Sequence, residues 1–300
     1  MKKLICLVLF IFSIIPLAAC SPSNEPISYS LDWKLDDNEV IAYKTAMNLV
    51  DDAETTVSFD WGQFLGEDID YGEFNQELSK LTTPEISSFI SILKPNEQGN
   101  ISVQMIVGEV NSVENSESSA LNDALNNMMQ SMEGTVQLRG EITPAGAIDS
   151  FYLEPRQKNL LAIFFELPTY PVKVGDTWQL DFNCLSMGAG FIAEHSEKTN
   201  QVEFVYVSKT ADDEVVAVLD YMMLEYVEGT FKNPLSEDVT PTSMTCGFLG
   251  RGQFLIEQGR WEQFVGEFMI SSMGLMTTDN TQEFALTPLN EIPEEYLNMK

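Results

Sequence analysis

Arg139-Gly-Glu-Ile-Thr-Pro-Ala-Gly146-Ala-Ile-Asp-Ser-Phe151 and Arg251-Gly-Gln-Phe-Leu-Ile-Glu-Gln-Gly259-Arg-Trp-Glu-Gln-Phe264 make one statement twice. Each stretch is Arg-Gly, a run of strand character, a glycine turn, and a second run ending in Phe; the later copy is one residue longer. Glycine tolerates the left-handed backbone that tight turns need, so each copy reads as a β-hairpin. Further upstream, each is preceded by a turn leading into a strand with an aromatic: Asp37-Asn38-Glu39-Val-Ile-Ala-Tyr43, and Val174-Gly175-Asp176-Thr177-Trp178. The order turn-strand, further strands, Arg-Gly hairpin therefore occurs twice. It predicts a duplicated β module.

The rest of the chain extends this pattern. Ile101, Val103, Met105 and Val107 alternate with mostly polar or small residues, as do Val202, Phe204, Tyr206 and Ser208, which is strand periodicity. Val216, Val218, Asp220 and Met222 share one side of another such run. Asp36-Asp37-Asn38, Pro144-Ala145-Gly146, Ala211-Asp212-Asp213 and Gln258-Gly259 punctuate the runs as turns. Three segments read as helix. Gly72–Leu93 is expected to hold two short helices, with Thr83-Pro84-Glu85 as a helix start. Ser118–Met132 sets Leu121, Leu125, Met128, Met129 and Met132 on one helical face, expected to pack over the sheet or to roof an apolar ligand groove. Arg156–Leu167, ended by Pro168, is the third. The expected fold class is α+β, predominantly antiparallel β: two similar curved β-sheet modules with a few covering helices. The boundaries are 27–155 for the first module with its helical insertion, 156–166 for a linker helix, 167–290 for the second module and 291–300 for a tail.

The N-terminus carries an address. Lys2 and Lys3 precede an apolar run from Leu4 to Ile15. Twelve helical residues span about 18 Å against a bilayer core of about 30 Å, so the pattern is that of a signal peptide over residues 1–19. Leu17-Ala18-Ala19-Cys20 resembles the lipobox of bacterial lipoproteins. That resemblance implies a diacylglycerol on the Cys20 thiol and cleavage before it, with residues 20–26 as a short tether. Ser21, rather than Asp, then implies the outer membrane, facing periplasm or cell exterior.

Charge narrows the partners. The chain holds 46 acidic and 16 basic side chains, net −30. Loss of residues 1–19 removes Lys2 and Lys3 and leaves 14 basic against 46 acidic, net −32. Such a surface repels nucleic acid and anionic headgroups. Of the four cysteines, Cys6 leaves with the signal and Cys20 is the lipid site. Cys184 and Cys246 remain, either as a disulfide in an oxidising compartment or as two separate buried thiols.

Few residues carry chemistry. The sole histidine, His195, has no Gly-x-Ser-x-Gly elbow to accompany it and too few companions for a zinc site. It reads as a solvated strand or turn residue. Asp60, Glu67, Asp68, Asp70 and Glu73, interleaved with Trp61, Phe64 and Tyr71, form the densest acidic cluster. Asp68-x-Asp70-x-Gly72-Glu73 faintly resembles a calcium loop but lacks the twelve-residue pattern; an acidic surface loop is expected. No metal, no cofactor and no enzymatic activity are expected.

Leu167-Pro168-Thr-Tyr-Pro171-Val172-Lys173-Val174-Gly175-Asp176-Thr177-Trp178 is similar to a box in a family of uncharacterised exported bacterial lipoproteins, where a helix runs into Leu-Pro and then Pro-Val-Lys-Val-Gly-Asp-x-Trp. Those proteins also repeat Gly-x-Ile-x-x-x-Gly hairpins, here Gly140 to Gly146. The resemblance implies an antiparallel β architecture and no activity. Asp37-Asn38-Glu39 departs from the glycine at Gly175, and the 62–100 insertion has no counterpart in it. The functions left are a membrane-anchored envelope lipoprotein that binds a protein partner or has a structural role, a carrier of lipid or another apolar ligand, and, least, an acid-pair glycosidase.

Overall fold

The computed structural model describes residues 27–49, 58–59, 85–111, 120–152, 155–185, 190–232, 239–274 and 276–297. Successive strands are β1 (Ile41–Leu49), β2 (Ser58–Phe59), β3 (Glu85–Ile86), β4 (Ser88–Pro95), β5 (Ile101–Val107) and β6 (Val110–Asn111). Helix α1 (Ala120–Gln130) then leads to β7 (Val136–Ile142) and β8 (Ile148–Tyr152), and helix α2 (Pro155–Phe165) to β9 (Thr177–Trp178). Long strands follow: β10 (Phe191–Lys209), β11 (Val215–Lys232), β12 (Val239–Leu255), β13 (Arg260–Met273) and β14 (Met276–Pro288), with a terminal turn of helix, α3 (Glu294–Leu297). The fold is α+β and predominantly antiparallel. The main sheet runs β8-β7-β5-β4-β1-β14-β13-β12-β11-β10-β9, with β2 on β14 and a separate β3–β6 ladder.

Two meanders meet in this order. β1 and β14 pair from Tyr43↔Pro288 to Leu49↔Gln282, so residues 41–152 and 177–288 contribute to one sheet. The core is also shared. Tyr43, Leu93, Val103 and Leu138 join Leu219, Phe248, Trp261 and Phe264 in one buried cluster. Helix α2 lies in that cluster through Leu161, Ala162, Ile163, Phe164 and Phe165.

The two Arg-Gly hairpins are β7–β8 and β12–β13. Their glycines make room. A Cβ on Gly140 would fall 2.3 Å from Leu161 Cδ1, and one on Gly252 would fall 2.7 Å from the Trp261 ring. At the turns, Gly146 and Gly259 have φ of 81° and 63°, the left-handed region that glycine enters without strain. The segment before β1 stitches both turns. Trp33 N donates to Pro144 O at 2.7 Å and Lys34 N to Gly259 O at 3.1 Å. Leu167 N, just past α2, donates to Gly146 O at 3.1 Å.

The end of α2 is buried, where its last carbonyls lack intrahelical donors. Two indoles supply them. Trp33 Nε1 donates to Phe165 O at 2.9 Å, and Trp261 Nε1 to Phe164 O at 2.6 Å. The Trp261 backbone N donates in turn to Tyr43 Oη at 3.1 Å. Trp33 packs against Phe165, Phe254 and Trp261 with ring centroids 5.8, 5.5 and 6.2 Å apart.

Three expectations are corrected. Residues 85–95 form strands rather than helix; 72–84 lie outside the described residues. β4 is buried on both faces, Ile90 and Ile92 on one and Ser91 and Leu93 on the other. Such a run has no period-two contrast to separate it from a helix. The methionine face of α1 does not cover the sheet: Met128 is 55% exposed, and Leu125, Met129 and Met132 are half-buried outside the core. Helix α2 occupies the inner face instead. In β10, a bulge between Phe204 and Tyr206 shifts the alternation. Val202 and Phe204 are buried and Val207 packs on the core, while Tyr206 turns outward.

Trp33→Phe should keep most of the ring packing and orphan the Phe165 carbonyl. Loss of about 1–3 kcal/mol is expected for a buried group left unpaired, read by urea denaturation; an unchanged midpoint would refute the capping role.

Candidate functional site

Cys20 and the acidic cluster Asp60, Glu67, Asp68, Asp70 and Glu73, with Trp61, Phe64 and Tyr71, lie outside the described residues. Cys184 and Cys246 are joined in a disulfide with Cα atoms 6.0 Å apart. Among the described residues, no group of three or more His, Cys, Asp or Glu is placed to hold a metal ion, and no helix is long and apolar enough to cross a membrane. His195 is exposed on β10, its Nε2 3.0 Å from Glu197 Oε1 and its ring edge-on to Tyr226.

The disulfide ends a strap, residues 179–185, that crosses from the box to the sheet. The box docks first. Asp176 Oδ2 accepts from Lys173 N at 2.8 Å, Asp176 N donates to Lys173 O at 3.0 Å, and Gly175 N donates to Phe204 O at 2.7 Å. Trp178 is then buried, together with Leu180 and Phe182. Asn200 on β10 pairs with both backbone groups of Leu180, at 3.1 and 2.7 Å. Lys198 Nζ donates to Phe182 O at 2.6 Å and Asn183 Oδ1 at 2.7 Å. Glu225, only 7% exposed, accepts from Leu185 N at 2.8 Å and stands 2.6 Å from Lys198 Nζ. Glu225 is directly opposite Cys246 in the β11–β12 register, so ion pair and disulfide fasten the strap at one place.

On the α2 side, Lys158 pairs with Asp181, and Asn159 exchanges hydrogen bonds with Asn183. Asp181 N donates to Glu166 Oε2 at 3.0 Å. Burial raises the pKa of Glu166 above the ordinary carboxylate value, and the Asp181 charge adds to the rise against the lowering effect of that hydrogen bond and of Lys158. Burial also pushes the Tyr221 hydroxyl up.

The sheet's other face carries an open hollow of about 410 Å³, lined by Gln201, Glu203, Asp220, Met222, Leu249 and Arg251 among others. Arg251 donates through Nε and Nη2 to both Asp220 oxygens, at 2.6 and 2.7 Å. Such paired contacts fix both side chains. Met222 and Leu249 stand directly opposite each other and are 45% and 43% exposed. The sequence marks Asp220 and Met222 as one side of a strand. It carries no signal for their partners, because Leu249 and Arg251 meet them only through the β11–β12 register.

The chain matches no protein-family model, no curated protein and no solved structure.

Two outcomes follow from the strap. Replacing both Cys184 and Cys246 by Ser should lower stability by about 4 kcal/mol on the chain-entropy account of a 62-residue separation; an unchanged denaturation midpoint would contradict it. The folded state holds the Glu166 proton more tightly than the unfolded chain does, so its contribution to stability falls as pH rises through the raised pKa. Glu166→Gln should therefore be more stable than wild type at pH 7, with the gap closing below about pH 4, where both forms are neutral. A gap that widens on acidification would show the opposite shift.

Proposed function

We propose that the chain is an exported bacterial lipoprotein, anchored through Cys20 to the outer membrane, whose body is a non-enzymatic binding or structural protein of the envelope. The observation that carries the binding reading is the contrast between the two faces of the sheet. The inner face is filled by α2 and by fully buried rings such as Trp33, Phe165, Phe248 and Phe264. The outer face of β11 and β12 leaves Met222, Leu224 and Leu249 exposed, Leu224 by 41%. Exposed apolar groups rimmed by polar ones mark interaction sites more than they stabilise a monomer.

The Cys184–Cys246 disulfide supports export, since such bonds persist in oxidising compartments. The lipid anchor rests on the lipobox resemblance at Leu17-Ala18-Ala19-Cys20. Two or more acyl chains hold a protein stably on a membrane, where one binds reversibly. A carrier reading would gain from a cavity beneath α1, but the hollow lies on β10–β12, is open, and is lined in part by charged groups.

Expressed in a bacterium with its own leader, the wild-type chain should partition into the detergent phase and Cys20→Ser into the aqueous phase. Recovery of both in the aqueous phase would reject the anchor. In-cell cross-linking of the wild type should yield a discrete envelope partner; a clean blank would reject the binding role.

A further inference from the structure

The ladder registers fix which side chains share the outer face of β10–β14. Met222 is flanked by Gln201 on β10 and Leu249 on β12. Two residues along β11, Leu224 faces Gly247, which faces Met269 on β13. Gly247 has no side chain, and a Cβ there would fall 2.9 Å from Met269 Cγ and 3.3 Å from Leu224 Cδ1. Those two side chains close over the glycine. With Met222 and Leu249 they make one apolar island.

Carboxylates ring the island. Glu203 stands beside Asp220 on one side, and Glu267 and Glu283 extend the Met222–Leu249 row. Glu197 and Glu228 stand beyond Leu224 on β10 and β11. Arg251 is also in the ring, but both Asp220 oxygens already engage it. The first meander treats the same face differently: Ala42, Ile90, Ile92 and Ile106 are buried under Leu289, Ile292 and Tyr296 from the C-terminal segment. One half of the outer face is covered by the chain itself, and the other presents an apolar centre in an acidic frame.

We propose that this island docks a basic amphipathic segment of a partner protein. Apolar side chains of the segment would cover Met222, Leu224, Leu249 and Met269, and its Lys or Arg heads would meet the surrounding carboxylates. Charge selects this occupant. An anionic lipid surface would face the same carboxylates and be repelled, and a second copy would bring a matching acidic ring. The proposal rests on the binding-protein reading and specifies its surface and partner chemistry.

The test uses the purified mature chain and two labelled peptides of about 16 residues with identical leucine spacing, one with Lys and one with Glu at every polar position. Fluorescence anisotropy should show binding of the Lys peptide alone. Leu224→Ser with Leu249→Ser should weaken it by about tenfold or more, and Glu267→Lys by several-fold. Asp212→Lys, in the distant β10–β11 turn, makes the same charge change and should alter binding by less than about twofold. Circular dichroism melting checks that each variant is folded. No binding of the Lys peptide, an Asp212→Lys loss equal to that of Glu267→Lys, or indifference to the leucine changes in a folded variant would each overturn the proposal. In-cell cross-linking separates the two levels. A partner whose cross-links survive the leucine double variant overturns this surface alone, while absence of any partner for the wild type removes the binding reading beneath it.

Discussion

The fold depends on two indole N–H groups at the buried end of α2. A helix terminus leaves carbonyls unpaired, and each one buried without a donor costs on the order of 1–3 kcal/mol. Trp33 and Trp261 satisfy Phe165 O and Phe164 O from opposite ends of the sequence. Their geometry requires that the segment before β1, the helix between the meanders and strand β13 all arrive at one point. The aromatic packing around Trp33 and Trp261 follows, since tryptophan pairs a large apolar body with one donor that must be met when buried. Helix α2 is thereby a fixed part of the core on which both meanders close.

The sequence disclosed this architecture unevenly. Gly146 and Gly259 were legible because a turn with positive φ selects glycine, and the hairpins beside them follow from local alternation. The box at 167–178 was legible for the same local reason, since prolines end a helix and Gly175-Asp176 makes a turn. Residues 85–95 were not, because β4 is buried on both faces and offers no contrast between them. The α1 face misled: its spacing is amphipathic, but α2 takes the inner face, and nothing in the spacing of either helix ranks them. Tyr206 was misplaced by one inserted bulge residue. The island of Met222, Leu224, Leu249 and Met269 was invisible for a deeper reason, since it is assembled by strand register across three strands, and register is not a local property.

Charge and structure divide the surface. The chain carries a net charge of −30, and the two acids behind the strap are handled individually. Glu225 is held by Lys198 and a backbone N–H. Burial raises the proton affinity of Glu166, and the neighbouring Asp181 carboxylate adds to the rise, against the lowering effect of its backbone donor and of Lys158. The strap thus rests on one compensated carboxylate and one strained by burial, with the disulfide beside the compensated one.

The pairing of β1 with β14 has a consequence for how the molecule is made. Tyr43 meets Pro288, so the first long strand to be synthesised waits for the last. Trp33 likewise waits for Phe165, Phe254 and Trp261. Contacts of such sequence separation form slowly, because loop closure precedes any gain from pairing. A chain built this way stays open until nearly all of it has emerged. That order of events would suit the export proposed above, since the closing strand would arrive only when the crossing was almost done.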